Sequence, residues 1–268
     1  MSVPHYLALI GSGCSAEVFR LAGGRVLKLY REGLDPGVIE REHDGVRHAQ
    51  RQGLRVARAL GKREHKGRLG IIFEELAGTP LLRDLLLRPF RSRSLLGRFA
   101  AYHARMHRCS GAGLDHAQHI IVHVRILHAE VGEDMRRLAL DRLYAIPEGD
   151  RLCHGDFHPQ NAILTDEGIA AIDWSNGSRG DPAGDVARTE LLLRFGGLGG
   201  MMRRFPWLRR FRNAAANLYL RRYCEATGMS EEAIDAWRLP MAIAALHPES
   251  RIDRDALVME LRGQGHAI

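Results

Sequence analysis

The chain has 268 residues, enough for one large core or two modest lobes. Its 45% hydrophobic and 26% charged content is ordinary for a globular protein. No apolar run nears the ~20 residues of a membrane span, and the start shows no signal-peptide pattern, so no membrane role is expected. The formal charge of +7 comes mostly from scattered Arg, and with no RNA- or DNA-binding signature it predicts no specific nucleic-acid partner. Cys14, Cys109, Cys153 and Cys224 are widely spaced without a CxxC pair. They read as reduced thiols of a cytoplasmic protein rather than a disulfide frame or a zinc site.

Residues 5–31 alternate like a small antiparallel sheet, with strands at 5–10, 17–21 and 25–30. Between the first two lies Gly11-Ser12-Gly13-Cys14-Ser15, a loop whose glycines would let backbone N–H groups approach phosphate oxygens. Lys28 is a lone cation in the apolar run Val26-Leu27-Lys28-Leu29-Tyr30. It suits an exposed edge strand, or a contact to nucleotide phosphates held by an acid from the next helix. That helix is predicted over 36–52, opened by Pro36 and stopped by Gly53, and it offers Glu40 and Glu42 on different faces.

Further strands are expected at 56–62 and 68–75, completing five. The second breaks at Glu74-Glu75-Leu76-Ala77-Gly78 into an extended link, a natural hinge whose backbone at Glu74 to Leu76 would suit an adenine edge. From Leu81 the periodicity turns helical, over 81–87 and 95–109. His103 and His107 stand one turn apart at metal-ligand spacing, but no nearby Glu completes a His-Glu-x-x-His pattern, and zinc is not expected. His116, His119, His123 and His128 are too irregular to suggest a site. A helix over 131–143 leads to the turn at 147–150.

The central stretch runs Leu152-Cys153-His154-Gly155-Asp156-Phe157-His158-Pro159-Gln160-Asn161-Ala162-Ile163-Leu164, then Ala170-Ala171-Ile172-Asp173-Trp174. Apolar flanks around a polar cluster predict strand, loop, strand, and a third strand ending at Asp173. An Asn five positions after an Asp, with a second Asp closing the next strand, is the spacing phosphoryl transfer from a nucleotide requires. One carboxylate takes the proton of an attacking hydroxyl, and an amide oxygen and a second carboxylate hold magnesium. Asp156 reads as the base, and Asn161 and Asp173 as the metal ligands. Asp181-Pro182 then opens a helix as cap and first turn, and Asp185 on that turn suits a supporting role. The remainder reads as helices over 185–195, 201–227, 230–246 and 253–262, with a basic amphipathic stretch at 201–212.

On Gly11 to Val18, Lys28, Arg41-Glu42, Glu74 to Gly78, His154 to Asn161 and Ile172 to Asp185, the chain resembles the aminoglycoside phosphotransferase and choline kinase family. The resemblance implies an α+β, two-lobed, protein-kinase-like fold, with a five-stranded antiparallel lobe over 1–76 and a mainly helical lobe over 77–268. It implies Glu42 rather than Glu40 as the partner of Lys28. It carries the base over to Asp156 and the metal ligands to Asn161 and Asp173. ATP or GTP would bind between the lobes against Gly11, Ser12, Gly13, Ser15, Lys28, Glu42, Glu74 and Leu76. Gly155 replaces the Arg of protein-kinase catalytic loops, and no Ala-Pro-Glu follows Asp173, so a protein kinase is disfavoured. A nucleotide-binding module without turnover is disfavoured because every polar role is filled. The leading acceptor is an aminoglycoside-like hydroxyl, with choline-type and other metabolites as alternatives. From residue 185 onward ten acids stand against thirteen Arg, a balance that does not single out a polycation.

Overall fold

The computed structural model describes residues 8–13, 15–197 and 208–268. Residues 5–7 of the first expected strand, Cys14, and residues 201–207 of the basic amphipathic stretch lie outside the described residues. The chain begins with strands β1 (Ala8–Ser12), β2 (Ala16–Leu21) and β3 (Arg25–Tyr30). After helix α1 (Pro36–Arg51) come β4 (Ala59–His65) and β5 (Arg68–Glu74). These strands form one antiparallel sheet in the order β1-β2-β3-β5-β4. Period-two alternation puts Leu27 and Leu29 on one face of β3, both buried, and Val26, Lys28 and Tyr30 on the other.

α1 starts where Asp35 accepts a hydrogen bond from the Gly37 amide and Pro36 supplies a preset φ. Glu42, Val46 and Ala49 recur at helical spacing and are all buried, so one stripe of the helix carries apolar contacts together with a single carboxylate. The fourth strand begins later than the sequence suggests, because Val56 is withdrawn from the sheet to bridge Ala171.

Beyond the sheet, β6 (Gly78–Pro80) pairs with β8 (Ala162–Thr165), which pairs with β9 (Gly168–Ala171). The expected link at Gly78 is therefore a strand of a second sheet. β7 (Arg151–Cys153) pairs with β10 (Ser178–Gly180). The helices are α2 (Leu81–Leu87), α3 (Ser92–Met106), α4 (Gln118–Leu127), α5 (Glu133–Tyr144), α6 (Pro182–Phe195), α7 (Leu208–Thr227), α8 (Glu231–Ala244) and α9 (Arg254–Gly263). Sequence periodicity misses α4, which has no side-chain N-cap. Phe99 of α3 stacks on Phe157 with ring centroids 4.3 Å apart, and Tyr219 of α7 closes over it, which seats the loop after β7 on the helical core. Cutting the fully buried Phe99 back to Ala would cost on the order of 3–5 kcal/mol. No helix among the described residues is long and apolar enough to cross a membrane.

Candidate active site

Residues 154–161 join β7 to β8, and their backbone is held from beneath by Asp185 on the first turn of α6. The His154 amide donates to Asp185 Oδ2 at 2.6 Å and the Gly155 amide to Oδ1 at 2.8 Å. His103 and His107, one turn apart on α3 and its end, each place Nε2 3.2 Å from the same Oδ2. Their Nδ1 atoms lie 2.7 and 2.6 Å from the hydroxyls of Tyr219 and Tyr223, also one turn apart. The network assigns both imidazoles the same tautomer, Nε2–H donating to Asp185 and Nδ1 accepting from tyrosine. Burial pushes the Asp185 carboxyl up, but the bonds from the two imidazoles reverse this and hold it well below the usual carboxylate range. Burial lowers His103 to about 4. An ionised Asp185 among neutral donors satisfies every member, so hydrogen bonding rather than a metal accounts for this cluster.

Gly155 has φ +74, and a Cβ there would lie 2.7 Å from the backbone oxygen of Asn176. No other residue fits the turn without moving that neighbour. The turn presents Asp156 to a cleft. Its Oδ1 is 3.4 Å from Arg188 Nη2, and its Oδ2 is 3.3 Å from Asn161 Nδ2 and 3.6 Å from His158 Nε2. Burial raises the Asp156 carboxyl, but His158 and Arg188 outweigh it and hold the group well below its ordinary value. Asn161 also donates to the Asp156 carbonyl at 3.0 Å, which leaves its amide oxygen free of that bond.

Behind Asp173, Lys28 Nζ lies 2.7 and 2.8 Å from the two oxygens of Glu42 and 2.9 Å from Asp173 Oδ1. The Tyr30 hydroxyl donates to Glu42 Oε2 at 2.7 Å. Glu40 instead pairs with Lys62. Burial alone would lower the Lys28 ammonium, but Glu42 and then Asp173 raise it above its ordinary value, so it stays charged. Asp173 follows β9 in the left-handed region at φ +64, a conformation costing roughly 1–2 kcal/mol in a residue with a Cβ. Burial raises its carboxyl and Lys28 more than offsets this, leaving it below the ordinary range. Ser175 and Lys28 both donate to Oδ1, and Oδ2 accepts from no group among the described residues. The Asn161 amide oxygen and Asp173 Oδ2 are hard oxygen donors in the same cleft, the chemistry that suits magnesium, which takes few protein ligands and fills its shell with phosphate and water.

The glycine-rich loop departs from expectation. Gly11 and Ser12 belong to β1, opposite Val18 and Glu17, and do not line the cleft. Gly13 and Ser15 do line it, but the Gly13 amide is spent on Ala16 O at 2.8 Å. Arg31 straps the turn by donating to Ser12 Oγ and Gly13 O. Near the expected adenine edge, the Glu74 amide donates to Arg58 O and the Glu75 amide to Gly24 O. Of the amides from Glu74 to Leu76, Leu76 alone makes no hydrogen bond among the described residues.

The cleft has a volume of about 470 Å³ and runs from Gly13 and Ser15 past Asp156, Asn161 and Asp173 to Glu249 and Arg251. Arg125, Arg188 and Arg212 also line it. None of these arginines is marked by a sequence motif; Arg125 lies on the helix that periodicity misses.

A sequence model of a family described as "Phosphotransferase enzyme family" matches residues 7–233. The chain belongs to the phosphotransferase enzyme family. It is an enzyme of the small-molecule kinase class. No curated protein matches it in sequence. Among solved structures, an aminoglycoside phosphotransferase of Streptomyces rimosus, in complex with ADP and streptomycin, is 20% identical over 85% of this chain and 90% of its own, with a TM-score of 0.56. A choline kinase of Cryptosporidium parvum is 13% identical over 97% and 91%, with a TM-score of 0.61. The GDP complex of aminoglycoside 2'-phosphotransferase-IIIa is 11% identical over 97% and 93%, with a TM-score of 0.63. At these identities the likeness is one of fold, and it agrees with the five-stranded antiparallel sheet and helical part seen here. In this phosphotransferase Asp156, Asn161 and Asp173 share the cleft lining with Gly13 and Ser15, and Lys28 and Glu42 join them through Asp173, whereas Gly11, Ser12, Glu74 and Leu76 neither line the cleft nor bond to these groups.

Proposed function

We propose that this phosphotransferase moves the terminal phosphoryl group of ATP or GTP to a hydroxyl of a small molecule, with magnesium. The observation that carries this reading is the convergence of Asp156, Asn161 and Asp173 on one cleft, with the Lys28–Glu42 pair bonded to Asp173 behind its lining. Lys28, kept cationic by its carboxylates, draws the nucleotide phosphates toward Asp173. Asp156 accepts the acceptor hydroxyl's hydrogen bond and then its proton, as the new O–P bond forms and the bond from the γ-phosphorus to the nucleotide's bridging oxygen breaks. A carboxylate held so low is a weak base, so its larger contribution is to aim the hydroxyl, with the proton arriving late. Asn161 holds Asp156 in place through both its bonds. Magnesium, held by Asn161 Oδ1 and Asp173 Oδ2, would supply charge neutralisation of the phosphates.

On this reading residues 1–76 supply the nucleotide side and 77–268 the catalytic loop and acceptor site. The reaction belongs in the cytoplasm, where nucleotide is abundant and Cys109, Cys153 and Cys224 stay free. An aminoglycoside or choline-type acceptor, suggested by family resemblance, is a cation. Against it, the described lining offers Glu249 alone beyond Asp156 and Asp173, facing four arginines. The test is Asp156→Asn: nucleotide should bind as in the parent, while turnover falls about 10²–10⁴-fold. Retention of most of the turnover would remove Asp156 from the role of base.

A further inference from the structure

Arg125 projects from α4 into the cleft wall beside the catalytic loop. Its guanidinium carries five N–H donors. Among the described residues it makes one hydrogen bond, a long one of 3.5 Å from Nη2 to Asn176 Oδ1, and no ion pair. The charges pressing on it include two further cations, Arg188 and Arg41. Burial and then the charge of Arg188 lower it to about 10, the direction expected of a cation lacking a counter-ion. Asp156 and Glu249 pull the other way, but neither comes within 4 Å of it.

Arg188 stands on the same wall with only 12% of its side chain exposed. Its one contact, 3.4 Å from Nη2 to Asp156 Oδ1, is too long to be a strong charge-assisted bond. Further along, Arg212 is buried and spends Nε and Nη2 on the carbonyls of Leu193 and Leu192, while its Nη1 has no partner among the described residues. The cleft thus holds several largely buried guanidiniums with unfilled donors. Burying cations without partners is costly unless an anion completes them.

We infer that the acceptor is a small hydroxylated anion whose carboxylate or phosphate is held by Arg125 and Arg188 while its hydroxyl lies on Asp156. This rests on the phosphotransferase reading above. Because Arg188 Nη2 is only 3.4 Å from Asp156 Oδ1, the hydroxyl and the anionic group must be a few bonds apart. Planar guanidiniums recognise both carboxylate and phosphate through paired N–H donors.

The full chain is assayed for ADP or GDP release with a panel of hydroxylated compounds differing in charge. Glycerate carries a carboxylate, glycerol 3-phosphate a phosphate, glycerol is neutral, and ethanolamine and streptomycin are cationic. Binding of each to the nucleotide-free chain is followed by calorimetry. Anionic members should be the ones bound and turned over, and carboxylate against phosphate separates the two sources. Arg125→Gln should raise their KM about tenfold or more with a smaller change in kcat, and Arg125→Lys should fall between, since it keeps charge but loses the paired donors. Preference for glycerol, ethanolamine or streptomycin, absence of any anion binding, or an unchanged KM in Arg125→Gln would overturn the inference. A chain that binds the anions in an Arg125-dependent way, yet binds neither MgATP nor MgGTP, would keep the anion site and refute the phosphotransferase reading.

Discussion

Lys28 Nζ donates to Asp173 Oδ1 at 2.9 Å across 145 positions of sequence, and the same ammonium holds Glu42. One cation therefore fastens α1 to β3 and β3 to the segment after β9. Because the ammonium is nearly buried, removing it strands two carboxylates rather than deleting one contact.

Lys28→Ala should raise the KM for nucleotide about tenfold or more and lower stability by on the order of 3 kcal/mol. Glu42→Gln should act in the same direction but less. Steady-state kinetics and chemical denaturation check both, and a nucleotide KM that stays put in Lys28→Ala would sever the lysine from the phosphates.

Asp185→Asn keeps the shape of the support under the 154–161 loop but removes its charge and turns one donor toward other donors. The His154 and Gly155 amides lose half their anchorage, so Asp156 loosens. Turnover should fall about 10²-fold, the scale of a misplacement near 1 Å, with the nucleotide KM little changed. An undiminished kcat would show that the loop holds itself.

Acid should weaken this protein through His103. Its folded value of about 4 lies below the ordinary 6.5, so between those values the unfolded chain binds a proton the folded one refuses. Stability is then complete above about 6.5 and is lost as pH falls toward 4, by on the order of 3 kcal/mol. His103→Gln should be less stable at neutral pH yet show a flatter profile over that window. Parallel profiles for both chains would assign the acid sensitivity elsewhere.

The readable parts of the sequence are those where chemistry imposes spacing. Asp156, Asn161 and Asp173 stand out because phosphoryl transfer needs them at set distances, and the sheet stands out because short apolar strands such as β3 are bounded by glycine turns such as Gly23-Gly24. The glycine-rich turn is less distinct: Gly and Ser describe a tight hairpin as well as a phosphate cradle, and its Arg31 strap comes from outside the motif. His103 and His107 are visible as a pair, but their shared acid lies 82 and 78 positions away. Arg125 and Arg188 are hidden for the same reason. An anion site assembled from separate helices leaves no local pattern, and α4 lacks the cap that would announce it.

The left-handed turn at Gly155 bears on control. With the Asn176 backbone against its open side, the loop has no socket for a side chain at that position. A phosphate added elsewhere on the surface has no handle there by which to pull the Asp156 carboxylate into or out of line. Any control exerted from a distance reaches this loop by a route other than Gly155.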